Sequence, residues 1–213
     1  MKTHTTIAVV GGTGKSGQYL VKQLLQQNFA IRLLIRDHTL THLKDPKITV
    51  IRGDARDITA VKALVAGADA VISTIGQRGN GLPIFSAATA NIIRAMQEQH
   101  IQRYLVTTGL SVNTLMDQKS PWVMQATDWM YAHYPQTTND KQNEYELLQN
   151  TGLDWTLIRL PLIELTDGAP SVTASLIDCP SDKISASSLA AFLIGQLSDN
   201  TFSSAAPFIA NAV

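Results

Sequence analysis

The sequence predicts an α/β fold built on a parallel sheet, and three observations carry that prediction. Short apolar runs recur along the chain: Ile7 to Val10, Ala30 to Ile35, Ile48 to Ile51, Ala68 to Ile75, Arg103 to Thr108 and Asp154 to Leu160. Helical patterns separate most of them. Nearly continuous apolar strands alternating with helices belong to a parallel sheet covered on both faces. The third observation is the glycine turn that joins the first strand to the first helix.

That turn reads Gly11-Gly12-Thr13-Gly14-Lys15-Ser16-Gly17 and leads into a helix from Gln18 to Gln27. Gly17, Leu20, Val21, Leu24 and Leu25 share one helix face, with Lys22, Gln23, Gln26 and Gln27 opposite. The first N–H groups of a helix lack intrahelical partners, and the helix dipole adds positive potential there. A strand feeding directly into such a helix is therefore a ready anion site. Gly11, Gly14 and Gly17 fit the first turn of a doubly wound, Rossmann-type dinucleotide-binding sheet. One glycine permits the tight turn, one lets a pyrophosphate approach the backbone, and one lets the helix pack on the strand. Gly14-Lys15-Ser16 also matches the end of a triphosphate P-loop, but that motif needs glycine where Val9 stands. A glycine turn without a ligand is the remaining alternative at this point.

Composition narrows the classes. A chain of 213 residues suits one α/β domain, with room for a small appendage. It is 45% hydrophobic and 16% charged, enough for a proper core. Lys plus Arg and Asp plus Glu both total 17, so charge gives no case for nucleic acid or an anionic membrane. Cys179 is the single cysteine, which excludes an internal disulfide and a cysteine-built zinc site. The five histidines, His4, His38, His42, His100 and His133, lack metal spacing. No apolar stretch is long enough to span a bilayer, and a cytoplasmic protein is the expectation.

The remaining elements follow in order. Arg36-Asp37 closes the second strand, at the edge where such sheets select their cofactor. An acidic residue there binds the ribose 2′-hydroxyl of NAD, whereas an arginine accommodates the 2′-phosphate of NADP. Arg36, with Lys15 in reach of the same phosphate, favours NADP(H) over NAD(H); the alternative makes Asp37 the reader. Gly53-Asp54 closes the third strand, and Asp57 is the expected N-cap of a helix running to about Ala66. Asp54 has two readings, as an adenine neighbour or as a cap of the next turn. The fourth strand ends Ser73-Thr74-Ile75-Gly76, where Gly76 leaves room for a cofactor beside the backbone. A helix from Phe85 to Gln99 places Ala88, Ile92, Ala95, Met96 and Gln99 in register.

The fifth strand ends Thr107-Thr108-Gly109-Leu110-Ser111, and ligands of open α/β sheets lie outside such carboxyl ends. Its hydroxyls suit a nicotinamide or a substrate, and equally suit ordinary turn chemistry. The stretch from Val112 to Thr138 breaks the alternation and collects Met116, Trp122, Met124, Trp129, Met130, Tyr131 and Tyr134. That composition fits a roof over a flat ring, a subunit contact or a local core. His133 in it reads as a surface residue. Asn139 to Asn150 is expected to be helical, with Tyr145, Leu148 and Gln149 on one side, charges elsewhere and Gly152 at its end. Val172 to Ile177 and Pro207 to Asn211 read as short strands, and Ser185 to Ser198 as a helix.

Several of these stretches together resemble atypical short-chain dehydrogenase/reductases. They are the glycine turn, Arg36, Gly53-Asp54, Asn139-Asp140-Lys141…Glu144…Leu147-Leu148, Thr151-Gly152-Leu153-Asp154-Trp155-Thr156 and Arg159-Leu160-Pro161. The nearest likeness is to the NAD(P)H-binding group containing the biliverdin reductase B/flavin reductases and NmrA-like proteins, and it covers essentially the whole chain. It implies one NAD(P)-binding domain over 1–213, with a substrate-side segment around 110–138 and a small C-terminal part at 161–213. By this resemblance Thr13, Gly14, Lys15 and Ser16 hold the phosphates, Arg36 the 2′-phosphate, and Asp54 with Ala55 the adenine. Ile75 and Gly76 pass along the ribose, and Pro161, Leu162 and Ile163 border the nicotinamide. Lys141 matches a lysine that opens the helix after the substrate loop.

One departure matters for chemistry. The Tyr-x-x-x-Lys pair of ordinary short-chain dehydrogenases is absent, and Lys141 and Tyr145 carry that spacing in reverse. Without a phenolic acid of lowered pKa, alcohol dehydrogenation is disfavoured. Hydride transfer from NADPH to a flavin, quinone or tetrapyrrole-like acceptor is the leading expectation, because such a ring takes its proton from solvent. Ser111, as a hydrogen-bond donor to the acceptor, and Lys141, on a ribose hydroxyl or phosphate, are the candidate catalytic residues. The alternatives are a non-catalytic NADP(H) sensor like the NmrA-type regulators and a sugar-nucleotide epimerase-like enzyme. The expected partner is a small, flat, conjugated acceptor, with the protein a monomer or homodimer.

Overall fold

A computed structural model describes residues 5–36, 45–77 and 81–212. An eight-stranded sheet has the order β3-β2-β1-β4-β5-β6-β10-β8. Its strands are β1 (Thr6–Val10), β2 (Ala30–Ile35), β3 (Ile48–Arg52), β4 (Ala70–Ser73), β5 (Arg103–Gly109), β6 (Asp154–Leu160), β8 (Val172–Ser175) and β10 (Phe208–Asn211). β7 (Leu162–Glu164) and β9 (Lys183–Ser185) form a separate parallel pair. All pairings of the main sheet are parallel except β10 with β8 at the edge.

The helices are α1 (Gly17–Gln26), α2 (Ile58–Val65), α3 (Phe85–Glu98), α4 (Pro121–His133), α5 (Pro135–Gln149) and α6 (Ala186–Gly195). Successive strand residues feed opposite faces. Ile7, Val9, Leu33, Ile72 and Ile158 pack with Leu20 and Leu24 of α1 and Leu189 and Leu193 of α6. Ala8, Val10, Leu34, Val71 and Leu157 pack with α2, α3 and α5 through residues such as Leu64, Ile92 and Leu148. The expected doubly wound, Rossmann-type sheet with helices on both faces is therefore what the chain forms.

Several boundaries differ from expectation. The fourth strand starts at Ala70 and ends at Ser73, because Ala68 N–H closes the end of α2 on Val65 O. The helix expected from Asn139 begins at Pro135, a residue whose fixed φ and missing N–H suit a first turn. The same helix ends at an Asn150 cap with φ −93°, and the Thr151 hydroxyl donates to Leu148 O, so Gly152 does not terminate it. Gln99 and Gln149, expected on inner faces, are exposed, while Glu144, expected outside, is buried. The pair β7–β9 was not predicted, since three residues are too few to show a period. The expected helix at Ser185–Ser198 is shorter, with Ser185 as its N-cap: its Oγ accepts the Ser188 N–H at 2.9 Å.

Candidate functional site

The strand order reverses between β1 and β4, and the carboxyl ends of β1 to β6 open on one edge. A crevice at such a reversal is where doubly wound sheets bind ligands. The predicted residues follow those ends in sequence: the glycine turn after β1, Arg36 after β2, Asp54 and Ala55 after β3, and Ile75 and Gly76 after β4. Thr108 and Ser111 close β5, and Pro161, Leu162 and Ile163 follow β6. Asp37 lies outside the described residues.

The turn is built as its glycines predict. Gly11 has φ +81°, and a Cβ on it would lie 2.5 Å from Thr74 O. Gly14 N–H donates to Gly11 O at 2.8 Å. A Cβ on Gly17 would lie 2.2 Å from Gly11 O, so this glycine lets α1 start against the turn. Gly12 is also tight, with a hypothetical Cβ 2.6 Å from Leu33 Cδ1. Ser16 at the N-cap makes no side-chain bond to α1, and no acidic residue stands in its first turn. The helix N-terminus is thus left open to an anion.

Beside it, charge is arranged around one carboxylate. Asp54 accepts from Arg56 through the guanidinium at 2.9 Å and through the backbone N–H at 2.9 Å, and Arg36 stands 4.0 Å away. The bond from Arg56 is the main reason the Asp54 carboxyl is held down to about 2. Asp57 caps α2 as expected, accepting from Thr59 N–H at 2.8 Å. The half-exposed Arg36 faces solvent with its partner already shared, so this corner presents cationic surface. Ala55 is buried, and its carbonyl is fixed by Asn91 Nδ2 at 3.1 Å.

A cleft of about 540 Å³ opens beyond the end of β4. Gly76, Gln77, Phe85, Met130, Tyr134 and Lys141 are among its lining residues, as is His133. That volume is in the range of small-molecule sites. Of the aromatic and methionine segment, Met130 and Tyr134 reach the cleft, whereas Trp122, Met124 and Trp129 are exposed outside it. His133 is exposed, as expected, but also lines the cleft; its Nδ1 bonds Trp129 O at 2.8 Å and its ring stacks 4.4 Å from Trp129. Thr137 donates to Gln77 Oε1 at 2.9 Å, and Gln77 Nε2 donates to Gly81 O at 2.6 Å, tying α5 to the strand end.

Lys141 sits where the cleft meets β5. A Cβ on Gly109 would lie 3.4 Å from Lys141 Nζ and 3.7 Å from Ser111 Oγ, so the two candidate catalytic residues flank one point. Burial pushes the Lys141 ammonium down from the usual lysine range. Ser111 Oγ and Thr108 Oγ1 are buried without a hydrogen-bond partner among the described residues. Unpaired buried hydroxyls are rare in folded chains. The reversed pair does not act as one: Tyr145 is a core residue, its ring 6.1 Å from Trp155.

A family described as NAD(P)H-binding matches residues 11–200. The chain belongs to the NAD(P)H-binding family. Among solved structures, it superposes on an anaerobilin reductase from Escherichia coli O157:H7 with TM-score 0.80, covering 97% of each chain at 19% identity. A short-chain dehydrogenase/reductase from Veillonella parvula, solved with NADP, gives TM-score 0.77 at 17% identity, covering 98% of this chain and 95% of that one. An uncharacterized chloroplastic protein of Arabidopsis thaliana is 27% identical over 165 residues, 72% of this chain and 57% of the relative. Cinnamoyl-CoA reductase 1 of the same plant is 21% identical over 193 residues, 80% of this chain and 56% of the relative. The chain thus spans little more than half the length of these two curated relatives. Among the described residues no helix is long and apolar enough to cross a membrane, and no group of three metal-ligating side chains occurs.

Three features were not predicted from the sequence. Asp140 accepts from Phe85 N–H at 2.8 Å and from Ser86 N–H and hydroxyl, so it caps α3 from a distant helix. Arg159 is fully buried and organises the start of the segment after β5: it donates to Asp117 at 2.6 Å, Val112 O at 3.2 Å and Leu176 O at 3.1 Å. Glu144 is buried, and burial pushes its carboxyl up to about 7. Spacing offers a signal for the last, since Glu144 lies four residues before the buried Leu148.

A stability prediction follows from Glu144. An unfolded glutamate ionises near 4.3, whereas this one keeps its proton to about 7. Between those values the folded chain binds more protons, so stability falls as pH rises through this window. Glu144→Gln removes that slope of about 1.4 kcal/mol per pH unit at its steepest. Urea denaturation at pH 5 and pH 8 is expected to show the variant gaining on the native chain at the higher pH; an equal difference at both would contradict the burial argument.

Proposed function

We propose that the chain is an NADPH-dependent reductase of a small, flat, conjugated acceptor such as a flavin, a quinone or an open tetrapyrrole. The observation that carries this reading is the cleft: it is walled by Phe85, Met130 and Tyr134, reaches Gly76 just beyond the end of β4, and includes Lys141. The chain also has no Tyr-x-x-x-Lys acid. An anaerobilin reductase among the structural neighbours adds support for a conjugated acceptor.

The residues present suit the dinucleotide. The open N-terminus of α1 with Thr13, Gly14, Lys15 and Ser16 would hold the phosphates, and Arg36 the 2′-phosphate. Asp54 and Ala55 would border the adenine, Ile75 and Gly76 the ribose, and Pro161, Leu162 and Ile163 the nicotinamide. The unpartnered hydroxyls of Thr108 and Ser111 and the Lys141 ammonium would meet polar groups of the nicotinamide half or the acceptor. Bound NADPH supplies a hydride. The protein side of the reaction is positioning: Phe85, Met130 and Tyr134 exclude water and orient the flat acceptor, and Ser111 and Lys141 donate hydrogen bonds to it. A protein acid is unnecessary when the reduced ring takes its proton from solvent.

Stopped-flow NADPH oxidation with FMN, riboflavin, quinones and biliverdin tests this reading. Turnover with at least one is expected, and none with any would remove it in favour of a redox-sensing regulator. Arg36→Ala is expected to weaken NADPH by about a hundredfold, the scale of a lost charge-assisted phosphate contact, while NADH changes little. Equal losses for both would show that Arg36 does not read the 2′-phosphate.

A further inference from the structure

Thr137, Asp140, Lys141 and Glu144 fall at positions i, i+3, i+4 and i+7 of α5 and so share one face. That face meets α3 and the end of β4 through polar groups. The Thr137 hydroxyl donates to Gln77 Oε1 at 2.9 Å, and Glu144 Oε1 accepts the Thr89 hydroxyl at 2.7 Å. Between them, Asp140 Oδ2 accepts the backbone N–H groups of Phe85 at 2.8 Å and Ser86 at 3.3 Å, and Oδ1 accepts the Ser86 hydroxyl. These N–H groups belong to the first turn of α3 and have no partner inside their own helix. The N-cap residue of α3 is Ile84, whose side chain has no oxygen to offer, and the first turn carries no acid. Lys141 lays its ammonium 4.9 Å from the centre of the Phe85 ring. The same ammonium stands 3.4 Å from where a Gly109 Cβ would be, at the end of β5. Two successive residues of α5 therefore meet Phe85, Asp140 at its backbone and Lys141 at its ring.

We propose that Asp140 is a positioning residue of the cleft: by clamping the first turn of α3 it fixes the Phe85 ring, and the ring fixes the Lys141 side chain beside Gly109. That Phe85 and Lys141 meet an acceptor rests on the reductase reading above, whereas the clamp does not. A Ser or Asp at position 84 would satisfy the same N–H groups from within α3. It would do so without tying α3 to α5, and the two helices could then part where the cleft lies. A carboxylate 55 positions away caps the helix and joins the two cleft walls at once. Its bonds are charge-assisted, which makes them stronger than those of a neutral cap. Among the described residues Lys141 has no ion pair or hydrogen bond, so its place depends on what its side chain rests against. The Phe85 ring is that support, and it is itself 2% exposed and walls the cleft.

The test reads the Lys141 side chain without any acceptor. Protons of a side chain lying over an aromatic ring are shifted upfield, and NMR of the full chain labelled with ¹³C-lysine locates those of Lys141, assigned with Lys141→Arg. Phe85→Leu should return them to the ordinary lysine position, which identifies the ring as the cause. Asp140→Asn keeps the size of the side chain but removes its charge and one acceptor oxygen, and most of the upfield shift should be lost. Ser86→Ala leaves both backbone bonds to Asp140 and should keep most of it. A Lys141 resonance unmoved by Asp140→Asn overturns the proposal. Should that variant fold poorly, the native chain still decides: the Phe85 and Ser86 amides should resist hydrogen exchange despite their place in a first turn. Exchange as fast as that of an open first turn would equally overturn it. With a productive acceptor, Asp140→Asn should lower kcat/KM for the acceptor by roughly tenfold to a hundredfold, the scale of a misplaced reacting group, with little change in NADPH affinity. A moved Lys141 resonance in a chain that turns over no acceptor would leave the clamp standing and remove the reductase reading instead.

Discussion

Gly17→Val is expected to abolish dinucleotide binding and to destabilise the fold by about 3 kcal/mol, at the upper end of overpacking costs. The size of the effect follows from what the new side chain meets. Even its Cβ would stand 2.2 Å from Gly11 O and 2.8 Å from Gly12 Cα. Both are backbone atoms of the turn that would hold the pyrophosphate, so relief requires moving the turn or the start of α1. Either movement misaims the N–H groups at the helix terminus. Chemical denaturation and calorimetric titration with NADPH check the two halves of this prediction. Gly76→Val is the informative contrast. A Cβ at Gly76 meets nothing within 4 Å, so stability should change by less than about 0.5 kcal/mol. If the ribose passes beside this backbone, NADPH binding should weaken all the same. Unchanged binding in a stable Gly76→Val variant would move the dinucleotide away from the end of β4.

The second large effect is expected at Asp117. Its carboxylate lies 2.6 Å from Arg159 and 3.7 Å from Lys119. The Arg159 and Lys119 side chains are 0% and 6% exposed, so neither can turn to water for compensation. Burial already pushes Lys119 down to about 8. Lys119 also donates to Asn113 Oδ1 at 2.7 Å and Thr127 Oγ1 at 3.3 Å, linking the loop after β5 to α4. Arg159 lies 3.5 Å above the Phe208 ring, which brings β6 and β10 into the same node. Asp117→Ala would leave two buried cations without their shared carboxylate, a change that costs about 3–5 kcal/mol. Urea denaturation should show this loss, and a loss below about 1 kcal/mol would mean that the node contributes little. Because the node fixes the residues leading into α4, the variant should also bind any acceptor less well than it binds the dinucleotide.

Strands β1, β2 and β4 to β6 were readable because a strand buried on both faces must be apolar nearly throughout, as in Ala30–Ile35, while β3 at the sheet edge is largely exposed. The glycine turn was readable because backbone crowding at Gly11 and Gly17 tolerates no side chain. Arg36 and Asp54 were locatable from strand ends alone, although the bond from Arg56 to Asp54 was not. The region after β5 was harder to read. α5 buries Thr138, Glu144, Tyr145 and Leu148, and a half-polar inner face leaves no clear period to find. Asp140 and Asp117 act through partners 55 and 42 positions away, and local spacing carries no record of such pairs. The exposed aromatic residues of α4 illustrate the same limit: their composition suggested a roof, but only Met130, His133 and Tyr134 turn toward the cleft.

In the reading proposed above, the open end of α1 and the Arg36 corner together form a site for NADPH. Calorimetric titration of the native chain with NADPH, NADH and ATP tests it most directly. Saturable 1:1 binding of NADPH, weaker binding of NADH and no comparable binding of ATP are expected. Binding of ATP as tight as that of NADPH, or no binding of either nicotinamide dinucleotide, would contradict it.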